Sequence, residues 1–227
     1  LPALEYANGD KEWWINGERH RDNDLPAIIK ANGDKEWYVN GKIHRDNDKP
    51  AIDHISGVKV WYQNGKQHRD NDLPAIIKAN GDKEWYVNGL CHGDNDLPAI
   101  EFADGDKYWY NNGKHHRDND LPAIECINRS KIWYVNGKFH RLGGLPAIIY
   151  IGEGEWYYIY DKRYSYDKIC KHYQILKGFG RYCLRKIRMN RLRKLRWIHG
   201  ELLCMPAKGS YPGGQDYHQM VNYFMSI

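Results

Sequence analysis

Threonine is absent from this 227-residue chain, and serine occurs only five times. None of those serines stands in the Gly-x-Ser-x-Gly setting that presents a nucleophile on a strand-to-helix elbow. Phosphate-cradling glycine motifs are missing as well, since Gly178-Phe179-Gly180 is too short for a P-loop or a dinucleotide fingerprint. No run of about 20 apolar residues reads as a membrane span, and no N-terminal stretch reads as a secretory signal. Cysteine is sparse and scattered: Cys91, Cys126, Cys170, Cys183 and Cys204, with no CxxC pair. An odd, dispersed set of this kind points to free thiols in a reducing, intracellular compartment rather than a disulfide framework. Acidic residues are missing between Lys168 and Gly200, where 11 Lys or Arg occur. The rest of the chain has 23 basic against 29 acidic residues. The overall charge of +5 therefore hides two opposite fields, net −6 outside that segment and +11 within it.

What the chain has in abundance is repetition. Trp13, Trp37, Trp61, Trp85, Trp109 and Trp133 stand 24 residues apart, and each is followed seven residues later by His20, His44, His68, His92, His116 or His140. An Asn-Gly step, or its equivalent, lies between them. Seven units cover residues 1–164, and a tail of different composition covers 165–227. A period in this range marks a stacked array, whose function resides on its surface or its caps rather than in one converging active site. The chain begins at Leu1, in phase with the repeat and without a methionine, so further sequence upstream is expected.

The second unit, Leu25 to Asp48, reads LPAIIKANGDKEWYVNGKIHRDND. Its two Asn-Gly steps, Asn32-Gly33 and Asn40-Gly41, suit type I′ turns, in which both central residues need positive φ. Lys35–Val39 is aromatic and β-branched, as strands are. A two-residue loop at Asn40-Gly41 predicts Val39 opposite Lys42, Tyr38 opposite Ile43, Trp37 opposite His44 and Glu36 opposite Arg45. A matching loop at Asn32-Gly33 predicts Ile28 opposite Trp37. Ile28, Trp37 and His44 would then share one face, and stacking would align them with Ile76, Trp85, His92 and their other copies as a ladder. Burying one Trp removes about 150–250 Å² from water, a gross gain of about 4–6 kcal/mol as an upper estimate. One three-stranded unit cannot bury its own face, so the array must stack. Leu-Pro-Ala, with Lys49-Pro50-Ala51 as a variant, separates the units, because proline interrupts a ladder. Asp-Asn-Asp just upstream supplies turn-forming side chains. The aromatic row Trp14, Tyr38, Tyr62, Tyr86, Tyr110 and Tyr134 lies opposite the Trp face and is expected to be exposed and to bind partners, unless a second layer covers it.

The last units depart from the pattern. Asn128-Arg129 and Leu142-Gly143-Gly144 replace the first Asn-Gly and Asp-Asn-Asp of the sixth. Tyr160-Asp161 and Tyr164 replace the second Asn-Gly and the His of the seventh. Atypical terminal units suit a capped array. The run W-Y-V-N-G-K-x-H, followed by a turn, a short strand and A-N-G-D, resembles the MORN repeat, a β-hairpin with a Trp, a Gly turn and a His-Gly step. It is most similar to the divergent MORN-type repeats of giant DNA viruses and of some phages and bacteria. Arg45-Asp46-Asn47-Asp48 stands after His44 where MORN repeats have glycines. The resemblance covers about 164 of 227 residues. It implies a binding or scaffolding module, virion-associated if viral, with other virion proteins as partners. The setting would be host cytoplasm, viral factory or virion.

Metal and cofactor sites find no support. Equivalent histidines in adjacent units fall roughly 10–14 Å apart at strand spacing, too far to share a zinc ion. Asp22-Asn23-Asp24 lacks the central Gly and distal Glu of a calcium loop. Neighbours on a strand face opposite ways, so Cys91 and His92 do not make a nucleophile–base pair. In the tail, Asp167 is expected to cap a helix running through Lys168 to about Cys204, with a break at Gly178 and Gly180. Leu184, Ile187, Leu192, Leu195, Ile198 and Leu202 would form its apolar face. A second short helix is expected over residues 215–227. Arg181, Arg185, Arg188, Arg191, Lys194 and Arg196 would form a basic face, open to three roles. It could cap the acidic array, bind phosphates of nucleic acid through residues 177–196, or lie on an anionic membrane. The expectation is thus a mainly β, elongated antiparallel hairpin array with a C-terminal helical cap, non-enzymatic and without cofactor.

Overall fold

The computed structural model describes residues 2–171, 196–198 and 201–203. The chain divides into two compact units, Leu1–Tyr164 and Ser165–Ile227. The first is mainly β, with 27 short antiparallel strands. Fifteen form one sheet in which the strands follow one another in chain order. The other twelve form six two-stranded hairpins, one from each of the first six repeats.

The second repeat shows how the sequence builds this. Ile28–Ile29 and Lys35–Glu36 pair in the long sheet, and Lys35–Glu36 pairs onward with Ile52–Asp53 of the next repeat. Tyr38–Val39 and Lys42–Ile43 form the separate hairpin. The turn between them is the one expected from Asn-Gly: Asn40 has φ 47° and Gly41 φ 71°, with Val39 opposite Lys42 and Tyr38 opposite Ile43.

The other Asn-Gly makes a different turn. The Lys30 amide donates to the Asp34 carbonyl at 2.9 Å, and the Gly33 amide to the Lys30 carbonyl at 2.8 Å. Ala31, Asn32 and Gly33 thus form a three-residue loop, with positive φ at Gly33 (97°) and not at Asn32. Asn32 Oδ1 accepts the Asp34 amide at 3.0 Å, a local bond that favours the longer loop. The register consequently moves by one: Ile28 faces Glu36, not Trp37. The expected Glu36–Arg45 pair does not form either. Glu36 takes an ion pair from Lys30 at 2.7 Å, which raises the Lys30 pKa, while Arg45 turns to Asp24.

Trp37 is the corner at which the chain leaves the sheet for the hairpin. Its amide donates to Ala51 of the next repeat at 2.8 Å, while its carbonyl accepts from His44 of its own hairpin at 3.1 Å. The two polar groups of one residue therefore serve two different pairings, and the same pattern recurs at Trp13, Trp61, Trp85, Trp109 and Trp133. Each acceptor alanine, Ala27, Ala51, Ala75, Ala99, Ala123 and Ala147, is fully buried. In the seventh repeat sheet and hairpin merge: Gly154–Ile159 pairs with Ile148–Tyr150 through its first half and with Lys162–Tyr164 through its second.

Hairpin side chains pack on one face of the sheet. Ile124, Ile132 and Ile148 of the sheet form a buried cluster, with Tyr134, Phe139, Trp156 and Tyr158 against it. Along the array the position paired with Leu4, Ile28, Ile52, Ile76, Ile100, Ile124 and Ile148 changes from Glu12, Glu36, Val60 and Glu84 to Tyr108, Ile132 and Trp156. With the exception of Val60, this position is thus acidic in the first four repeats and aromatic or apolar in the last three.

In the second unit, residues 166–171 are helical, with the Ile169 amide bonded to the Ser165 carbonyl at 3.0 Å. It begins before Asp167, the residue expected to cap it. Arg196–Ile198 and Glu201–Leu203 form an antiparallel pair where the sequence suggests helix up to about Cys204. Trp197 pairs with Leu202 in register, and the His199-Gly200 step in the sequence is a hairpin signal that the helical spacing of Leu195, Ile198 and Leu202 masks. The expected helix over 172–195 and the second helix over 215–227 lie outside the described residues.

Candidate functional site

The repeated side chains converge on the seams between units. In the seam of repeats one and two, Arg45 donates through Nε to Asp24 Oδ1 at 2.6 Å and through Nη2 to Oδ2 at 3.1 Å. Its guanidinium lies 3.7 Å over the Trp37 ring, and Nη1 reaches the Pro50 carbonyl at 3.2 Å. The Asp24 carbonyl accepts the Trp37 indole N–H at 3.0 Å. One carboxylate, one indole and one fork-shaped cation thus close a planar sandwich, the geometry for which arginine suits better than lysine. Arg45, helped by Lys49, holds Asp24 down to about 2. The same fork joins Arg69 to Asp48 and Arg117 to Asp96, and a single bond of 3.3 Å joins Arg141 to Asp120. Asn23 and Asp24, like Asn47 and Asp48, have positive φ, which fits the turn-forming role of Asp-Asn-Asp.

The histidines form a second tie. His20 Nδ1 accepts the amide of Asn40 in the next repeat at 3.1 Å, and Nε2 lies 3.1 Å from Asp22 Oδ1. A ring nitrogen that accepts a backbone N–H is unprotonated, so the proton sits on Nε2 and is donated to the aspartate. His44, His68, His92 and His116 repeat both bonds. His140 differs, stacking on Tyr160 at 4.2 Å. The Trp and His rows expected as one ladder are therefore two separate devices. Arginine covers the indole face, and histidine reaches across to the next turn.

A third tie comes from the aspartate after the first loop. Asp34 Oδ1 accepts the amide of Ile55 in the following repeat at 2.8 Å. That bond, with His54 and Asn32, holds its carboxyl down to about 2. Asp10, Asp82 and Asp106 repeat the bond to Ala31, Ala103 and Ile127. The sixth repeat keeps it in altered form, with Arg129 at positive φ in place of glycine and Ser130 Oγ accepting from Ile151 at 3.2 Å.

The aromatic row is not the exposed surface the sequence suggests. Tyr38, Tyr62, Tyr86, Tyr110 and Tyr134 are half-buried, and only Trp14, in the first repeat, is exposed. The Tyr38 hydroxyl donates to Glu36 at 3.1 Å and that of Tyr86 to Glu84 at 3.1 Å. Burial, with Glu36 next, pushes Tyr38 up to about 12. Further along, Tyr110, His115, Tyr134 and Phe139 stack at 4.0, 4.8 and 4.5 Å between ring centres. Burial pulls His115 down from its ordinary value.

Two of the thiols are shifted by the same cause. Burial pushes Cys91 up to about 12 and Cys126 up to about 11, and Cys91 Sγ points at the Ala99 carbonyl 3.9 Å away. His92 is held by Asp94 and Asn112, so these neighbours serve different partners.

One row escaped the sequence reading. Lys35, Lys59, Lys83, Lys107 and Lys131 all project into solvent from every second strand of the sheet. The spacing is about 10 Å, twice the strand separation. The signal was available: a lysine repeated in register beside Glu, Val, Tyr or Ile. Of the expected basic face, Arg181, Arg185, Arg188, Arg191 and Lys194 lie outside the described residues, and Arg196 lies in a strand. Among the described residues no group of three His, Cys, Asp or Glu is arranged to hold a metal ion. Compared with protein-family models and with curated proteins, the chain matches none.

Proposed function

We propose that this chain is a non-enzymatic scaffold, an array whose repeated surface holds protein partners. We place it with the MORN-type repeat proteins, as a virion-associated or assembly-site protein of a large DNA virus. One observation carries the scaffold reading. The polar side chains common to the repeats are used in ties between neighbours, so what remains for solvent is periodic and does not converge on a point. Catalysis needs converging groups of matched pKa, whereas a lattice of identical contacts suits partners that are themselves repeated. The viral setting rests on the resemblance of the W-Y-V-N-G-K-x-H run. Three free cysteines, Cys91, Cys126 and Cys170, support a reducing compartment.

The test is retention of virion proteins on the immobilised full chain. Reversing Lys35, Lys59, Lys83 and Lys107 to Glu should release partners that reversal of Arg188, Arg191 and Lys194 leaves bound. Turnover of any substrate that one substitution abolishes would sink the scaffold reading. A second reading is favoured by the charge of the tail, 11 basic residues without an acidic one between Lys168 and Gly200. There nucleic acid or an anionic membrane is the partner and residues 177–196 bind it. Duplex affinity that collapses with rising salt and with reversal at Arg188, Arg191 and Lys194 would establish that alternative.

A further inference from the structure

We propose that the seam between the third and fourth repeats is a receptor for an arginine side chain of a protein partner. Four seams hold an internal arginine, with Arg45, Arg69, Arg117 and Arg141 each 3.7–3.9 Å over a Trp ring and bonded to the preceding Asp. The fourth repeat has Gly93 at that position. Its other two elements are in place. The Asp72 carbonyl still takes the Trp85 indole N–H at 2.9 Å, so the aspartate and the ring keep the relation they have in the filled seams. Among the described residues, the Asp72 carboxylate has no partner and no cation lies over Trp85. Trp37, Trp61, Trp109 and Trp133 are buried, whereas Trp85 is only partly so.

A cleft of about 170 Å³ opens here, lined by Asp72, Trp85, Gly93 and Leu97 among others. Neighbouring charges do not oppose a cation. Arg69 on its wall is neutralised by Asp48 at 2.7 and 2.9 Å, and His68 and His92 are held by Asp70 and Asp94. A side chain grown from residue 93 itself would collide with the Leu97 carbonyl. The loop has closed over the path an internal arginine stem would take, so a guanidinium must arrive from solvent, where Asp72 is exposed. The chemistry selects that ligand. A flat aromatic face beside a carboxylate with two free oxygens matches a planar fork, while a lysine ammonium supplies one point charge and a metal ion would find one ligand. The inference stands on the vacancy and survives if the scaffold reading fails.

The experiment uses the full chain with 15N-labelled tryptophan, titrated with N-acetyl-arginine amide and, separately, N-acetyl-lysine amide. The Trp85 indole resonance, assigned through Trp85→Phe, should shift saturably with the arginine probe while those of Trp37, Trp61, Trp109 and Trp133 stay. Asp72→Asn should weaken binding at least about tenfold, and the lysine probe should bind several-fold more weakly. Asn is at home at the positive φ of Asp72 (54°), and if that variant still fails to fold, the arginine–lysine contrast on the natural chain decides. No saturable shift, equal shifts at all indoles, or equal response to both probes overturns the proposal. So does a Trp85 resonance that ignores the probe yet moves on Asp72→Asn alone, since an arginine of this same chain would then fill the site.

Discussion

Arg117 is the place to measure what one seam is worth. Its side chain is 13% exposed and that of Asp96 is 48% exposed, so water screens the pair. An ion pair so placed contributes about 0.5–1 kcal/mol despite bonds of 2.8 and 2.9 Å. Stacking 3.8 Å over Trp109 is better shielded and adds about 1–2 kcal/mol. The bond to the Pro122 carbonyl is long, 3.4 Å, and adds little. Arg117→Ala should therefore cost about 1.5–3 kcal/mol, read from the urea midpoint followed by tryptophan fluorescence on the full chain. Arg117→Lys keeps the charge but loses the fork, and should recover less than half of that loss. The ion-pair part is isolated by a double-mutant cycle with Asp96→Asn, where the coupling energy should be about 0.5–1 kcal/mol. The Arg69–Asp48 pair has the same geometry and should give the same coupling. Coupling near zero in both cycles, with Arg117→Ala still costly, would leave the stacking and the 3.4 Å contacts to Glu125 and Pro122 as the effect and refute the Asp96 carboxylate as a tie.

The seam carboxylates set the acid limit of the fold. Their ties hold Asp24 and Asp34 down to about 2 in the folded chain against an ordinary 3.8, and Asp48, Asp82 and Asp96 are also lowered. The unfolded chain therefore binds protons more readily, so the stability they contribute is complete above pH about 4 and lost as pH falls toward about 2. Near-UV circular dichroism from pH 5 down to pH 2 should show a steep loss there, and a flat signal would contradict the ties. Cys91, pushed to about 12, and Cys126, pushed to about 11, should alkylate at pH 8 at least about a hundredfold more slowly in the native chain than in urea, site by site by mass spectrometry.

Much of this architecture is legible in the sequence, and the failures have a common physical root. The period, the hairpins and the turn at Asn40-Gly41 follow from local chemistry, because two positive φ values next to a strand leave few alternatives. Asn32-Gly33 has the same dipeptide, but Asp34 follows it where Lys42 follows Asn40-Gly41. The Asn32 side chain bonds the Asp34 amide, and a third residue joins the loop. A slip of one residue changes every cross-strand partner. Facing Glu36 instead of Trp37, Ile28 shares its face with the Tyr38 row, and the tyrosines of the row become half-buried. The deeper cause is that these short strands bury both faces. Trp37 goes under Arg45 on one side, and Tyr38 goes against the sheet layer on the other. Alternation assigns residues to faces but does not say which face is wet. The Arg–Trp–Asp sandwich was legible only as a recurring Arg eight residues after Trp, which a pattern of in-strand pairing assigns to the wrong partner.

In a stacked array, stability is the sum of the units and of nearest-neighbour interfaces, so the weakest interface decides where the array divides. Among the seams of the first six repeats that interface is the one between the third and fourth, which lacks two of the three side-chain ties. Gly93 removes the arginine. Val58 stands where Asp10, Asp34, Asp82 and Asp106 accept an amide of the following repeat, so the Ala79 amide has no such acceptor. His68 to Asn88 at 3.3 Å, the amide bond from Gly89 to Gln67 and the pairing of Lys59–Val60 with Ile76–Ile77 remain. Hydrogen exchange should therefore show Ala79 exchanging faster than Ala31, Ile55 or Ala103. Denaturation should separate repeats one to three from the rest. Val58→Asp restores an acceptor at a place where the chain already accommodates one in four other repeats. The new bond would be charge-assisted but partly solvated, worth about 1 kcal/mol, less the apolar contact of a half-buried valine. The expected outcome is slower exchange at Ala79 by about fivefold and a sharper unfolding transition. If Ala79 already exchanges like its counterparts, the seam is held by something other than these ties, and the division of the array at this point fails with it.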